Sequence, residues 1–378
     1  MFRTIKIKVE YDETLYNTAL EFNKACQIVL DYCIKNKCYN KNLVNSETYN
    51  KVRKEIPNLP SALVQTARDE ATEMTKRMLK HDKQIKKIIK KRLSVRYDKR
   101  TFKLFPDTNR VSLTTIHGRL NYSFKPFEYL NKYKGEYTNA QLVVRNKTIF
   151  LNVQVKMPDI KSIKNENVKV LGIDTGIINI STCSDNTFYN SRHLRRIKGQ
   201  YRYLRSKLQH LGTRSAKRKL KRLSGRERRF VRDVNHRISK EIVNKQYNVF
   251  AMEKLQSSKM RKKKNGKKFN TKLGSWSPKQ LEEFIKYKSE SLGKMVVFVN
   301  PKYTSQKCSK CGFTTKKNRK GNLFSCRNCR FSLNADLNAS RNISILGKSE
   351  YTRLFVNQPI VTSLKDDSYK PINLLVGN

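Results

Sequence analysis

Residues 168–183 read VKVLGIDTGIINISTC, and this stretch decides the fold. Its first half is a nearly continuous apolar run, as expected of a strand buried on both faces. That run ends on a carboxylate, Asp174, followed by Thr175 and Gly176. The rest, IINISTC, reads as a hairpin partner. Two further apolar runs follow, YNVFAMEKL at 247–255 and MVVFV at 295–299. They are separated by basic helical segments and by a helix around LEEFIKYKSESL. A short helix, NADLNASRNISIL at 334–346, comes last. Strands and helices thus alternate, and the class is α/β.

Three carboxylates stand out by context. Asp174 ends the first run, Glu253 ends VFAME, and Asp336 lies near the start of the last helix. A carboxylate at the end of a buried strand is costly unless it is paired or bound to a cation. One alone reads equally well as a strand-end cap or a salt-bridge partner. Three of them can converge on hard cations through oxygen, as Mg²⁺ prefers. Two such ions about 3.5–4 Å apart activate a water and stabilise the leaving oxygen in phosphodiester cleavage. Asp174, Glu253 and Asp336 are the candidate catalytic residues and Mg²⁺ ligands, although sequence spacing alone does not make them converge.

The cysteines carry a more specific pattern. Cys308 and Cys311, then a gap of fourteen residues, then Cys326 and Cys329 form two CxxC pairs. This spacing matches two knuckles of a four-cysteine Zn²⁺ site, structural because four thiolates leave no open position. A pair of disulfides is the alternative, disfavoured in a reducing compartment. Cys26, Cys33, Cys38 and Cys183 sit singly among apolar neighbours and read as free thiols. His81, His117, His193 and His210 show no ligand spacing, and Asp233, His236 and Arg237 on one helix read as packing or phosphate-contact residues. Trp276 reads as a core anchor.

The chain has 82 Lys+Arg against 30 Asp+Glu, a formal charge of +52 over 378 residues. A compact protein so charged repels itself unless a polyanion lies along it, and nucleic acid is the commonest one. A histone-like packing protein would satisfy the charge too, but needs no carboxylate constellation. The basic residues are too widely spread for a membrane-surface protein. Three runs carry the densest charge. Residues 76–100 hold twelve basic and two acidic side chains, among them Lys76, Arg77, Lys86, Lys87, Lys90, Lys91 and Arg92. Residues 195–232 hold sixteen basic and one acidic, including Arg195, Arg196, Arg202, Arg205, Lys217, Arg218, Lys221 and Arg222. The loop 259–272 adds Arg261, Lys262 and Lys263. A solvated face is the bland reading of each run; the global charge favours nucleic-acid contact. No phosphate-binding glycine loop argues for an ATPase, and nothing points to a small-molecule substrate. No signal peptide or membrane span is read, so the expected location is cytoplasmic and nucleoid-associated.

The front half is organised differently. Residues 2–10 alternate as a strand, and a helical stretch runs from about 14 to 38. In NLPSALVQTARDEATEMTKRMLK, Pro60 and Ser61 read as the capped start of a second helix. Alternating segments at 94–105, 110–116, 118–124 and 141–157 follow, with Arg145, Asn146 and Lys147 turning the last hairpin. Strands on both sides of a helical block suggest a small β-barrel with helices inserted in it. Residues 158–166 read as a linker.

At this point the motifs GIDTGIINI, AMEKL, YTSQKCSKCG, CRNC and NADLNASRNI, in this order, resemble the TnpB family, insertion-sequence proteins related to compact type V CRISPR effectors. NLPSALVQTARDEA, RYDKRTFKL and the stretch from SW to FIKYK extend the resemblance over about residues 1–345. It implies an RNase H-like RuvC nuclease core with Asp174, Glu253 and Asp336 as its divalent-metal triad. The implied layout is a β-barrel (wedge) domain at 1–12 and 92–160, a helical recognition insert at 13–91, the RuvC-like domain at 165–300 and 331–346, the zinc ribbon at 301–330, and a tail at 347–378. The family often has a further acidic residue where this chain has Asn334. The resemblance implies an RNA-guided DNA endonuclease that reads a short motif beside its target. A guide RNA would pair with double-stranded DNA in a channel lined by the basic runs, and Mg²⁺ would serve cleavage. The protein would act as a monomer in that complex. A guided binder that does not cut, and a guide-free RNase H-like transposase or resolvase, are the rival readings.

Overall fold

A computed structural model describes residues 2–82, 85, 87–145, 148–158, 168–254 and 278–356. Lys86, Arg261, Lys262, Lys263, Trp276 and the end of the C-terminal tail lie outside the described residues. The chain divides into two units, residues 1–159 and 160–378.

In the first unit, strand β1 (Phe2–Val9) turns Ile5, Ile7 and Val9 inward, as its alternation dictates. Asp12 then caps helix α1 (Glu13–Lys35) by accepting a hydrogen bond from the Leu15 amide at 2.9 Å. Leu15, Ala19, Phe22, Cys26, Val29, Leu30 and Cys33 form its buried stripe. Helices α2 (Lys41–Glu55) and α3 (Ser61–His81) pack with it. The expected side-chain cap on α3 is not found: Pro60 occupies the N-cap position and Ser61 is already helical. The fixed φ of proline directs the chain into the first turn without a capping hydroxyl.

The strands of this unit form two sheets. One has the order β1-β7-β6-β2, with β2 at Ser94–Tyr97, β6 at Glu136–Arg145 and β7 at Thr148–Lys156, all antiparallel. The other is the meander β3 (Phe102–Phe105), β4 (Arg110–Thr115) and β5 (Gly118–Ser123). Helix α4 (Glu128–Lys132) connects the meander to β6. Both sheets bury their apolar faces in one core, where Val111 and Leu113 join Leu142, Leu151 and Val153. The expectation of a barrel is corrected here: among the described residues no ladder joins the two sheets into a closed ring. Period-2 alternation marks which face is buried, and it is the same for a barrel and for two sheets sharing a core.

The second unit is built on a five-stranded sheet of order β10-β9-β8-β11-β12. Strands β8 (Val170–Asp174), β9 (Asn179–Cys183) and β10 (Phe188–Asn190) are antiparallel; β11 (Val249–Glu253) and β12 (Met295–Val299) run parallel to β8. Between β10 and β11 the basic segment forms three helices, α5 (Arg192–Leu211), α6 (Arg214–Leu223) and α7 (Arg226–Asn244). The breaks fall at Gly212 and Gly225, whose φ values of 60° and 77° favour glycine. One sheet face packs Leu171, Ile173, Phe250 and Met252 on α7 and on α8 (Pro278–Glu290). The opposite face packs Val249, Ala251 and Val297 on the last helix, α9 (Ala335–Val356).

Helix α9 lies against β8 at van der Waals limits. A Cβ added to Gly172 would sit 2.0 Å from the Ser340 carbonyl oxygen and 2.4 Å from the Ser344 amide nitrogen. One added to Gly347 would meet the Ala251 Cβ at 2.2 Å. The Ser344 hydroxyl donates to the Val170 carbonyl at 2.9 Å, fixing the helix along the strand. Between β12 and α9 a small sheet, β13 (Arg319–Lys320), β14 (Leu323–Ser325) and β15 (Ser332–Asn334), carries the cysteine pairs.

Candidate metal centres and charged surfaces

Parallel pairing of β8 and β11 matches Ile173 with Met252, so Asp174 and Glu253 are the next residues of adjacent strands. Strand alternation places both on the face that α9 covers. Asp336 lies in the first turn of that helix, which Asn334 caps by accepting from the amides of Asp336 at 3.0 Å and Leu337 at 3.2 Å. Asn334 therefore acts through the backbone. Burial, with the charges of Glu253 and Asp336 adding to it, pushes the Asp174 carboxyl up to about 8. Burial also raises Glu253, opposed by a 2.5 Å hydrogen bond from the Thr304 hydroxyl and by the Arg319 charge. Asp336 is held at both oxygens, by Arg319 at 3.2 Å and by the Asn179 amide at 3.0 Å. Asp174, Glu253 and Asp336 are each partly buried, the other two carboxylates disfavour the charged form of Asp174, and Arg319 is the guanidinium paired with Asp336.

The four ribbon cysteines are brought together. Their sulfur atoms all lie within 4.8 Å of one another, the one such group of His, Cys, Asp or Glu among the described residues. Cys308 and Cys329 are 3.7 Å apart and Cys311 and Cys326 are 3.6 Å apart. Both distances exceed a disulfide bond of about 2.05 Å. They match the edge of about 3.8 Å implied by a tetrahedron of thiolates at about 2.3 Å from zinc. The two knuckles repeat one backbone design. Cys308 N donates to Phe313 O and Gly312 N to Cys308 O; Cys326 N donates to Phe331 O and Arg330 N to Cys326 O. Gly312 and Arg330 occupy the same place in each turn, and both have positive φ. The thiols share their protons unequally: a backbone hydrogen bond at Phe313 pulls Cys311 down, while Cys329, despite a backbone hydrogen bond at Phe331, is pushed up by desolvation and by the other three thiols.

The remaining cysteines are free, with Cys26, Cys33 and Cys183 buried. His236 stacks on Phe284 with centroids 3.9 Å apart, and Asp233 pairs with Arg237 on the surface of α7 at 3.1 Å. Lys76, Arg77, Lys87, Lys91 and Arg92 are exposed, as are Arg195, Arg196, Arg202, Arg205, Lys217, Arg218, Lys221 and Arg222. Arg205 is shared with Glu227, the one acidic residue of its run.

Lys90 is different. Its side chain is 4% exposed and pairs with Glu70 at 3.0 Å, over the ring of Phe22. Its own segment is pinned to α1, where Gln27 bonds the Lys90 amide at 3.0 Å and the Ile88 carbonyl at 2.9 Å. Lys90→Ala is expected to lower unfolding free energy by about 3 kcal/mol, because it strands a buried carboxylate. Lys91→Ala should leave urea unfolding unchanged and reduce the salt slope of nucleic-acid binding by about one. An unchanged unfolding midpoint in Lys90→Ala would show the pair to be dispensable.

Several site residues carried no signal of their own in the sequence. Thr304, Asn179 and Arg319 reach the carboxylates from distant segments. Asn338 and Asn342 are buried beside the first knuckle. Their only trace is the four-residue spacing from Asn334 in NADLNASRN, which puts all three on one helix face.

Residues 152–264 match the family model described as a probable transposase, and residues 279–343 match the Cas12f1-like TNB domain. The TnpB-like protein MJ0751 of Methanocaldococcus jannaschii is 35% identical over 127 residues, 33% of this chain and 45% of that protein. The chain is thus similar to TnpB-like proteins over part of its length. The putative RNA-guided DNA endonuclease InsQ of Escherichia coli K12 is 27% identical over 236 residues, 54% of this chain and 57% of InsQ. The chain thus spans about half the length of these curated relatives. The structure of the mini-RNA-guided endonuclease CRISPR-Cas phi3 aligns with a TM-score of 0.52 over 92% of each chain at 11% identity, a likeness of fold. Among the described residues no helix is long and apolar enough to cross a membrane.

Proposed function

We propose that this chain is an RNA-guided DNA endonuclease. A guide RNA pairs with one strand of a double-stranded DNA target, and the protein reads a short flanking motif and cleaves. The observation that carries this reading is the gathering of Asp174, Glu253 and Asp336 at one end of a sheet ordered β10-β9-β8-β11-β12. Three antiparallel strands followed by two parallel ones is the strand order of an RNase H-like, RuvC-type core. In this reading the core comprises residues 165–300 and 331–346, and 301–330 form a zinc ribbon. Residues 1–12 and 92–160 form the wedge, and 13–91 form the recognition insert.

Asp174, Glu253 and Asp336 would hold Mg²⁺. When bound, the cations supply an activated water and charge stabilisation for the leaving oxygen. The chain's own residues prepare the site. Thr304 orients Glu253, and Asn179 and Arg319 fix the two oxygens of Asp336. Cys308, Cys311, Cys326 and Cys329 would hold a structural Zn²⁺. Cys326→Ser should release about one equivalent of zinc and lower the melting temperature by about 10 °C, since binding free energy at such a site is folding free energy. An unchanged zinc content would remove the assignment.

The exposed basic side chains of α3, α5 and α6 supply the sequence-independent attraction for RNA and DNA. The reading is tested by sequencing the RNA that stays bound when the protein is purified from cells carrying its locus. One abundant structured RNA with a variable end supports a guide. Only random cellular RNA would favour a guide-free recombinase.

A further inference from the structure

Asn338 and Asn342 belong neither to the cysteine cluster nor to the carboxylates, yet they are 0% and 3% exposed. Asn338 lies about half a turn and Asn342 about two turns beyond Asp336 on α9. The Asn338 side chain accepts from the Ser309 amide at 3.0 Å and donates to the Lys307 carbonyl at 2.8 Å. It thereby holds both peptide groups that flank Cys308. The Asn342 amide donates to the Lys307 carbonyl at 2.7 Å and to the Thr304 carbonyl at 2.8 Å. Thr304 in turn holds Glu253 through its hydroxyl at 2.5 Å. A contiguous set of hydrogen bonds therefore runs from the first knuckle, through two buried amides, to the helix of Asp336 and to the Glu253 carboxylate.

Buried amides fix geometry because an orphaned partner keeps its full desolvation cost. If the first knuckle moves, the carbonyls of Thr304 and Lys307 lose their donors. Thr304 is then free to rotate away from Glu253. In the opposite direction, α9 cannot slide along the sheet without breaking both amide pairs. The knuckle and the carboxylate site have one shared set of supports.

We infer that Asn338 and Asn342 are positioning residues that couple occupancy of the cysteine cluster to the divalent-cation affinity of the carboxylate site. The inference rests on the metal assignments proposed above. The ribbon thus acts as a brace for the nuclease centre as well as a module beside it. Loss of the thiolate-bound metal loosens the segment 304–309 and, through Thr304 and α9, the spacing of Glu253 and Asp336.

The test measures Mn²⁺ binding by calorimetry and by loss of the free-ion EPR signal, with the cysteine cluster loaded with Co²⁺ and read by its thiolate charge-transfer absorption. Wild type, Asn342→Ala, Asn338→Asp and Asp336→Ala are compared. Asn338→Asp keeps the acceptor for Ser309 and loses the donor for Lys307, so it separates a lost bond from a lost fold. The expected result is an unchanged Co²⁺ spectrum in both asparagine variants with Mn²⁺ affinity lowered about tenfold. Stripping Co²⁺ should weaken Mn²⁺ binding in wild type by a similar factor and have much less effect in Asn342→Ala, because the coupling is already broken. Mn²⁺ affinity within twofold of wild type in both loaded variants would overturn the coupling and leave the carboxylate assignment standing. Equal weakening on stripping in wild type and Asn342→Ala would also overturn it. Wild type that binds no Mn²⁺, or Asp336→Ala that binds it normally, would instead remove the carboxylate assignment and the coupling with it.

Discussion

Asp174→Asn is expected to stabilise the cation-free protein at pH 7.5 while eliminating DNA cleavage. Asp174 is half-buried at the end of β8, and desolvation there, with the charges of Glu253 and Asp336, pushes its carboxyl up to about 8. A folded-state pKa above the unfolded value of about 3.9 means that the folded protein prefers the proton. Stability from this group is complete below about pH 4 and is lost as pH rises towards about 8. At neutral pH the penalty has a ceiling of about 4 kcal/mol, at 1.36 kcal/mol per pH unit. The neutral amide of the variant escapes it. The melting temperature of Asp174→Asn should therefore match wild type near pH 4 and exceed it progressively to pH 8. Added Mg²⁺ should reverse the order at pH 7.5, raising wild type and leaving the variant unchanged. Wild-type cation affinity should rise with pH across the same window, because binding must displace a proton. A variant less stable than wild type at pH 7.5 without cations would contradict this electrostatic account.

Gly172→Ala is expected to be among the most damaging single methyl additions to the second unit. The new Cβ meets backbone of α9, at 2.0 Å and 2.4 Å, and no side-chain rotation relieves it. The helix must move away from β8, and Asp336 moves with it. Overpacking of this kind costs about 1–3 kcal/mol. A displacement of about 1 Å at a catalytic group can cost about 10²-fold in rate. Gly199→Ala is the control, since nothing lies within 4 Å of its added Cβ on the exposed side of α5. That substitution should be neutral or slightly stabilising, as alanine is the better helix former. Wild-type cleavage by Gly172→Ala would show that α9 is not held to the strand at this point.

The second unit of the fold was legible because its decisive features are local. An apolar run ending in a carboxylate marks a central strand, and CxxC spacing marks a knuckle, whatever the rest of the chain does. The glycine breaks at Gly212 and Gly225 are local too, and they divide the basic helical segment into three helices. The front half was legible as elements but not as architecture. Alternation identifies the buried face of β6 and β7, while closure depends on which distant strands pair. Burial of Lys90 was likewise invisible, since it depends on Glu70 in α3 and Gln27 in α1 arriving around it. The supports of the carboxylates follow the same rule. Arg319, Thr304 and Asn179 join the site only through tertiary contacts, so residue type alone gives them no role.

Guided, metal-dependent DNA cleavage at three carboxylates is the proposed activity. The direct measurement is cleavage of a plasmid bearing a sequence matched to the co-purifying RNA, with Mg²⁺, by wild type, Asp174→Ala and Glu253→Gln. Linear product is expected from wild type only, none with a mismatched guide or with chelator, and intact target binding by both variants in gel shift. Cleavage retained by either carboxylate variant, or cleavage by wild type independent of the RNA, would contradict it.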